Sequence, residues 1–203
     1  MTIRNVIFDM AGVLIKSSFP TSCARFIAND DDRALVTREL FHSVAWVKMD
    51  RGTMEPDEVE RAVCKNLPSR LHAGVHEIMA HWHTQVTWID GMEPLVRRVK
   101  KAGYGVYMLS NTAKSCHNIF DKLPAPDCFD GRLISADCQL LKPEPAIYHV
   151  LCDQFGLVPG ECVFVDDAPA NVEGALHVGM QGVVFYHDIE RLVRELSELG
   201  VRL

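Results

Sequence analysis

Apolar positions along the chain fall into two regimes. From Asp90 to the end, short apolar runs alternate with stretches of helical period. Helices are predicted over 91–102, 112–122, 144–155, 169–178 and 189–199, and strands begin near Tyr104, Arg132, Glu161 and Gly182. The run Val6-Ile7-Phe8 is a further strand, too short for a helix and rich in β-branched residues. Strands alternating with helices imply an α/β fold, a doubly wound and mainly parallel Rossmann-like sheet. Between about Ser17 and Ile89 no comparable strand occurs. Helical period dominates there, over 33–47, 56–66 and 71–88. The chain therefore divides into a core, 1–16 and 90–203, and an inserted all-helical unit, 17–89.

The core strands end on polar groups. The first delivers Asp9, with Ala11 and Gly12 following. The Tyr104 strand ends in Ser110-Asn111-Thr112, where Ser110 can donate to an anion and a helix from Thr112 would present unpaired N–H groups. Ser110 or Thr112 could equally cap that helix. Lys142-Pro143 precedes a helix that starts in Glu144-Pro145. The run Cys162–Val165 ends in Asp166-Asp167, and Asn171 lies one turn into the next helix. Adjacent carboxylates raise each other's pKa unless a cation is present, and a small all-oxygen site suits Mg²⁺. The C-terminal edge of such a sheet is where ligands bind.

Taken in order, these four segments resemble the motifs of the haloacid dehalogenase superfamily, within its phosphatases that carry small helical caps. The resemblance implies Asp9 as nucleophile, forming an aspartyl phosphate from a small phosphorylated metabolite. It implies Lys142 as the cation facing phosphate and aspartate. Ser110 and the Asn111 N–H would bind the phosphoryl group. Mg²⁺ would be held by Asp9, the backbone carbonyl of Ala11 and Asp167, with Asp166 binding through water or orienting Lys142. Which of Asp166 and Asp167 is the direct ligand stays open. Asn171 would support the acidic loop.

The chain departs from the family pattern at Ala11, where those phosphatases carry a second Asp as general acid and base. Loss of such a group costs about 10²- to 10⁴-fold in rate. Sugar 1-phosphates, whose anomeric oxygen leaves readily, fit that loss. A branch similar to α-glucose-1-phosphatases also tends to lack this Asp, and Met49-Asp50-Arg51-Gly52-Thr53 looks like its cap turn. His42, Lys48, Asp50 and Glu55 are unranked substitutes for the missing proton donor. In the cap, Trp46, Lys48 and Arg51 are candidate substrate contacts, although Phe41 and Trp46 fit bundle core better. His81 and His83, two apart, do not share a helix face and flank Trp82. A weakened or non-catalytic phosphometabolite-binding protein and a 2-haloacid dehalogenase are the alternatives. The first has no reason to retain Asp9, and the second needs no acidic pair.

Composition narrows the partners. The chain has 203 residues, 48% of them hydrophobic, and a formal net charge of −6. A nucleic-acid surface is disfavoured. The basic cluster Arg97-Arg98-Val99-Lys100-Lys101 fits a solvated helix face. No apolar run approaches a membrane span. The first strand follows the N-terminus directly, which leaves no room for a signal peptide. Seven cysteines without C-x-x-C spacing read as free thiols in the cytoplasm. Oligomeric state is not legible.

Overall fold

The computed structural model describes residues 2–16, 19–84 and 86–203. The expected opening of the helical insert at Ser17 lies outside them. Five strands form one parallel sheet: β1 (Asn5–Phe8), β2 (Gly105–Ser110), β3 (Gly131–Ile134), β4 (Cys162–Asp166) and β5 (Gln181–Val184). Their order is β3-β2-β1-β4-β5. β1 therefore sits at the centre, paired on one side with β2 and on the other with β4. Its order of neighbours reverses there, so the C-terminal ends of β1, β2 and β4 share one crevice.

Ten α-helices are described. Between β1 and β2 run α1 (Phe19–Phe26), α2 (Asp30–Val36), α3 (Val44–Asp50), α4 (Pro56–Cys64), α5 (His72–His81) and α6 (Met92–Lys101). After β3 come α7 (Ser135–Cys138), α8 (Pro145–Phe155), α9 (Pro169–His177) and α10 (Ile189–Glu198). Alternation along β1 explains how both faces of the sheet are covered. Val6 and Phe8 point into a core shared with Leu95 and Val99 of α6 and Leu192 of α10. Ile7 points to the opposite core, with Ile147 and Leu151 of α8 and Ala175 of α9. The first core continues without interruption into the helical cap, through Leu40, Trp46, Val59, Val75 and Ile78.

The cap differs from its sequence pattern in three places. The helix expected over 33–47 is broken in two. α2 runs on into a π-helical turn over Thr37–Phe41, and α3 begins afresh at Val44. Ser43 causes the break: its backbone is extended and its Oγ accepts the Trp46 N–H at 3.0 Å. The helix expected to reach Trp88 ends at His81, where the Thr84 hydroxyl closes back on the His81 carbonyl at 2.8 Å. α1 lies outside the three helical stretches the period predicts, and it spans only two turns.

The helix expected from Thr112 to Lys122 is instead a run of 3₁₀ turns over Lys114–Lys122. Ser135 Oγ accepts the Thr112 N–H at 2.8 Å, which withdraws that amide from those open to an anion. Among the described residues, no helix is long and apolar enough to cross a membrane.

Ser43→Ala removes the cap that separates the two segments. A loss of about 1 kcal/mol is expected in denaturant unfolding, with sheet content by circular dichroism unchanged.

Candidate active site

Asp9 continues β1 by one residue, its N–H donating to the Val165 carbonyl at 2.8 Å. That bond levels Asp9 with the end of β4, where Asp166 is fully buried. Between the two carboxylates lies the ammonium of Lys142, also buried. Its Nζ is 2.8 Å from Asp9 Oδ1, 2.7 Å from Asp166 Oδ2 and 3.0 Å from the Leu109 carbonyl. An ammonium has three donors, and these three acceptors match them. The Phe164 ring lies 5.1 Å away, a further favourable contact for a desolvated cation.

Lys142 stands in a loop, yet its backbone is clasped from β2. Asn111 Nδ2 donates to the Lys142 carbonyl at 2.9 Å, and the Lys142 N–H donates to Asn111 Oδ1 at 2.8 Å. The Asn111 side chain is thus committed to the lysine, which leaves only its backbone for a bound anion. Ser110, the last residue of β2, is buried beside it.

The acidic pair divides its labour. Asp166 accepts from Lys142, from the Ala168 N–H at 2.8 Å and from Asn171 Nδ2 at 3.1 Å. Asn171 in turn has its carbonyl held by the Tyr148 hydroxyl at 2.6 Å. Asp166 therefore orients the lysine. Asp167 is exposed, and its carboxylate lies over Gly12. Gly12 has φ +93°, and a Cβ there would overlap that carboxylate. Burial and the neighbouring Asp166 charge push the Asp167 carboxyl up. One oxygen each from Asp9, Asp166 and Asp167 fall within 4.8 Å of one another. An oxygen-only donor set whose members repel one another fits a small divalent cation.

Burial pushes the Asp9 carboxyl up to about 6, against the pull of Lys142. Burial alone would lower the Lys142 ammonium, but Asp9 and Asp166 outweigh it and hold it above its ordinary range. Lys142 is the cation of this cluster.

A cavity of about 260 Å³ opens next to these groups, against Met10 and Asp167, the chain neighbours of Asp9 and Asp166. Its walls come from both layers: Met10, Ala11, Gly12, Asn111, Thr112 and Asp167 from the core, Phe19, Trp46, Asp50 and Trp82 from the cap. Trp46 meets Phe19, Phe41 and Trp82 edge to face, so it is bundle core with one surface on the cavity. Arg51 points elsewhere: Nη1 and Nη2 grip Glu144 at 3.1 and 2.5 Å. Lys48 is exposed on α3 and does not line the cavity. His83 does line it, with its Nδ1 buried and unpaired. Sequence reasoning passed over His83 because the helix was taken to continue beyond it.

The sequence matches a family described as haloacid dehalogenase-like hydrolases over residues 3–179. Flavin mononucleotide hydrolase 1 of Arabidopsis thaliana is 24% identical over 198 residues, 98% of this chain and 78% of that protein. A sesquiterpene phosphatase of Aspergillus oryzae is 30% identical over 186 residues, 90% of this chain and 89% of that protein. In fold, the chain is similar to a haloacid dehalogenase family enzyme of Bacteroides thetaiotaomicron crystallised with magnesium and inorganic phosphate. The TM-score is 0.70 at 21% identity, covering 94% of this chain and 98% of that one.

Replacing Lys142 by Met leaves two buried carboxylates unpaired. A loss of about 3–5 kcal/mol is expected from denaturant unfolding in the presence of a chelator. Above the ordinary carboxylate range the unfolded chain ionises both acids freely and the folded variant cannot. The deficit therefore grows as pH rises from about 4.

Proposed function

The chain belongs to the haloacid dehalogenase-like hydrolases, and from this premise we propose that it hydrolyses small phosphomonoesters through an aspartyl phosphate on Asp9. The observation that carries this reading is the buried Lys142 ammonium, 2.8 Å from Asp9 and 2.7 Å from Asp166, next to a cavity lined by their chain neighbours Met10 and Asp167. It neutralises the nucleophile's surroundings so that an anionic carboxylate can meet an anionic ester. Asp9 attacks phosphorus in line with the departing oxygen, and the ester P–O bond breaks as the acyl phosphate forms. Lys142, Ser110 and the Asn111 N–H take the charge on the phosphoryl oxygens. Water then attacks phosphorus, and inorganic phosphate leaves Asp9 as a carboxylate.

Mg²⁺ is the cofactor in this reading, held by Asp9, the Ala11 carbonyl and Asp167, where it would supply charge neutralisation between carboxylate and phosphate. Asp166, saturated by Lys142, Asn171 and the Ala168 N–H, reaches such an ion only through water. The magnesium and phosphate found with the Bacteroides thetaiotaomicron enzyme support this assignment by likeness of fold. A dehalogenase has no use for Asp167 over Gly12. A binding protein has no use for an ionised Asp9 beside a lysine.

Two substrate classes fit the cavity. Sugar 1-phosphates, the expectation from the α-glucose-1-phosphatase-like turn at 49–53, suit the absence of a side chain acid at Ala11. Phosphates of apolar alcohols suit the wall of Met10, Ile15, Phe19, Trp46, Trp82 and Ile119, and a sesquiterpene phosphatase is among the relatives. In this reading 1–16 and 90–203 form the catalytic core and 17–89 a cap that sets specificity. Seven free cysteines suit a cytoplasmic setting.

Purified protein is expected to release phosphate from p-nitrophenyl phosphate and from members of both classes only with Mg²⁺. Asp9→Asn is expected to lower turnover by about 10³-fold or more. Wild-type protein that is inert toward all of these with Mg²⁺ present overturns the reading.

A further inference from the structure

The site as built lacks a proton donor for the leaving group. Position 11 is alanine, Lys142 is saturated by three acceptors, and Asp166 by three donors that make four contacts, two of them from Asn171 Nδ2. Of the substitutes open from sequence, His42, Lys48 and Glu55 are exposed and none lines the cavity. Asp50 does line it. The other titratable groups on its wall are Lys16, His83, Cys116 and Asp167. Burial pushes the Cys116 thiol up to about 12 and the His83 imidazole down. The first is too weak an acid and the second stays neutral.

Asp50 closes α3, and three fastenings set its place over the core. Ser135 Oγ donates to the Asp50 carbonyl at 2.5 Å while accepting the Thr112 N–H, so a single hydroxyl ties the cap to the loop after β2. Arg51 forks onto Glu144, two residues from Lys142. Gly52, at φ +76°, lies so close on the Ala136 backbone that no Cβ fits. Asp50 and Trp46, one turn apart on α3, both line the cavity. A protonated carboxyl at this wall has one O–H to offer to a departing oxygen.

We infer that Asp50 is the general acid and base of this enzyme, supplying from the cap the proton that the family pattern supplies from position 11. The inference rests on the phosphatase reading and deepens it. In the first half-reaction the Asp9 oxygen bonds to phosphorus, the ester P–O bond breaks, and the Asp50 proton passes to the departing oxygen, releasing a neutral alcohol. In the second, Asp50 carboxylate takes a proton from the water that attacks phosphorus. Asp9 leaves as carboxylate, the phosphate departs, and Asp50 is again protonated. No further reactant is needed. Burial pushes the Asp50 carboxyl up to about 8, with the Trp46 hydrogen bond opposing. The acid is therefore protonated at neutral pH and is matched to its task. With Asp50 acting, substrates need not have good leaving groups, so esters of ordinary alcohols come within reach.

The test compares Asp50→Asn with wild type on p-nitrophenyl phosphate, whose leaving group needs no proton, and on a simple alkyl phosphate, with Mg²⁺ throughout. Turnover of the alkyl ester is expected to fall by about 10²- to 10⁴-fold, and that of the aryl ester by far less. The wild-type rate on the alkyl ester is expected to decline as pH passes about 8, a limb absent from the variant. The double variant carrying Ala11→Asp in the Asp50→Asn background tests the chemistry apart from packing: it is expected to recover alkyl turnover. Equal losses on both esters, or an unchanged alkyl rate, overturn the role of Asp50 while leaving the phosphatase reading intact. Wild-type protein inactive on both esters overturns the two together.

Discussion

The ammonium of Lys142 has three hydrogens to place and no water to place them in. Asp9, Asp166 and the Leu109 carbonyl receive them, one acceptor from or just beyond each of the three central strands. A buried charge without such partners costs several kcal/mol, and a pair left half-made costs more than none. The three strands must therefore end at the same height, with the lysine loop brought down between β2 and β4. The parallel register supplies that height: Phe8 stands level with Met108 and Val165. The Asn111 clasp supplies the loop. Fold and chemistry meet at this one cation.

The same constraint explains why the two aspartates of β4's end are not equivalent. Asp166 lies inside the strand, fully buried, and its oxygens are consumed by the lysine, Asn171 and a backbone amide. Asp167, one residue on, points to the other side of the chain by the alternation of strand side chains and arrives at the open edge over Gly12. One acid holds the lysine and the next lies at the open edge. The cap follows a comparable economy. Ser135, Glu144 and Ala136 are core residues near Lys142, and each meets one residue of the turn Asp50-Arg51-Gly52. Arg51, a candidate for substrate from its position beside Trp46, serves that fastening instead.

Much was legible in the chain. The apolar runs gave the strands, because a strand buried on both faces has no polar position to hide. The polar residues at their ends gave Asp9, Ser110, Lys142, Asp166 and Asp167 as members of one crevice, since every parallel strand ends at the same edge. The cap was legible as helical but not in its parts. Ser43 ended a helix that period alone would have continued, and its capping bond to Trp46 is a local choice with little trace in hydrophobic pattern. The helix after Thr112 failed for a different reason. Over Lys114–Lys122 the chain closes 3₁₀ turns, and hydrophobic period does not tell these from α-helical ones.

By itself the sequence determined the architecture and the inventory: a central apolar strand with an acid at its end, a lysine before a helix, an acidic pair, and an alanine where an acid is absent. These follow from composition along short segments, where side chain type and strand or helix period decide. Only the tertiary structure decided the pairings. Whether Asp166 or Asp167 faces the lysine, whether Arg51 meets a ligand or Glu144, and which of four polar cap residues turns inward all depend on contacts between segments tens of residues apart. Burial selects among them: a charged or polar group leaves water only where a partner awaits it, and where that partner stands is a property of the packed chain.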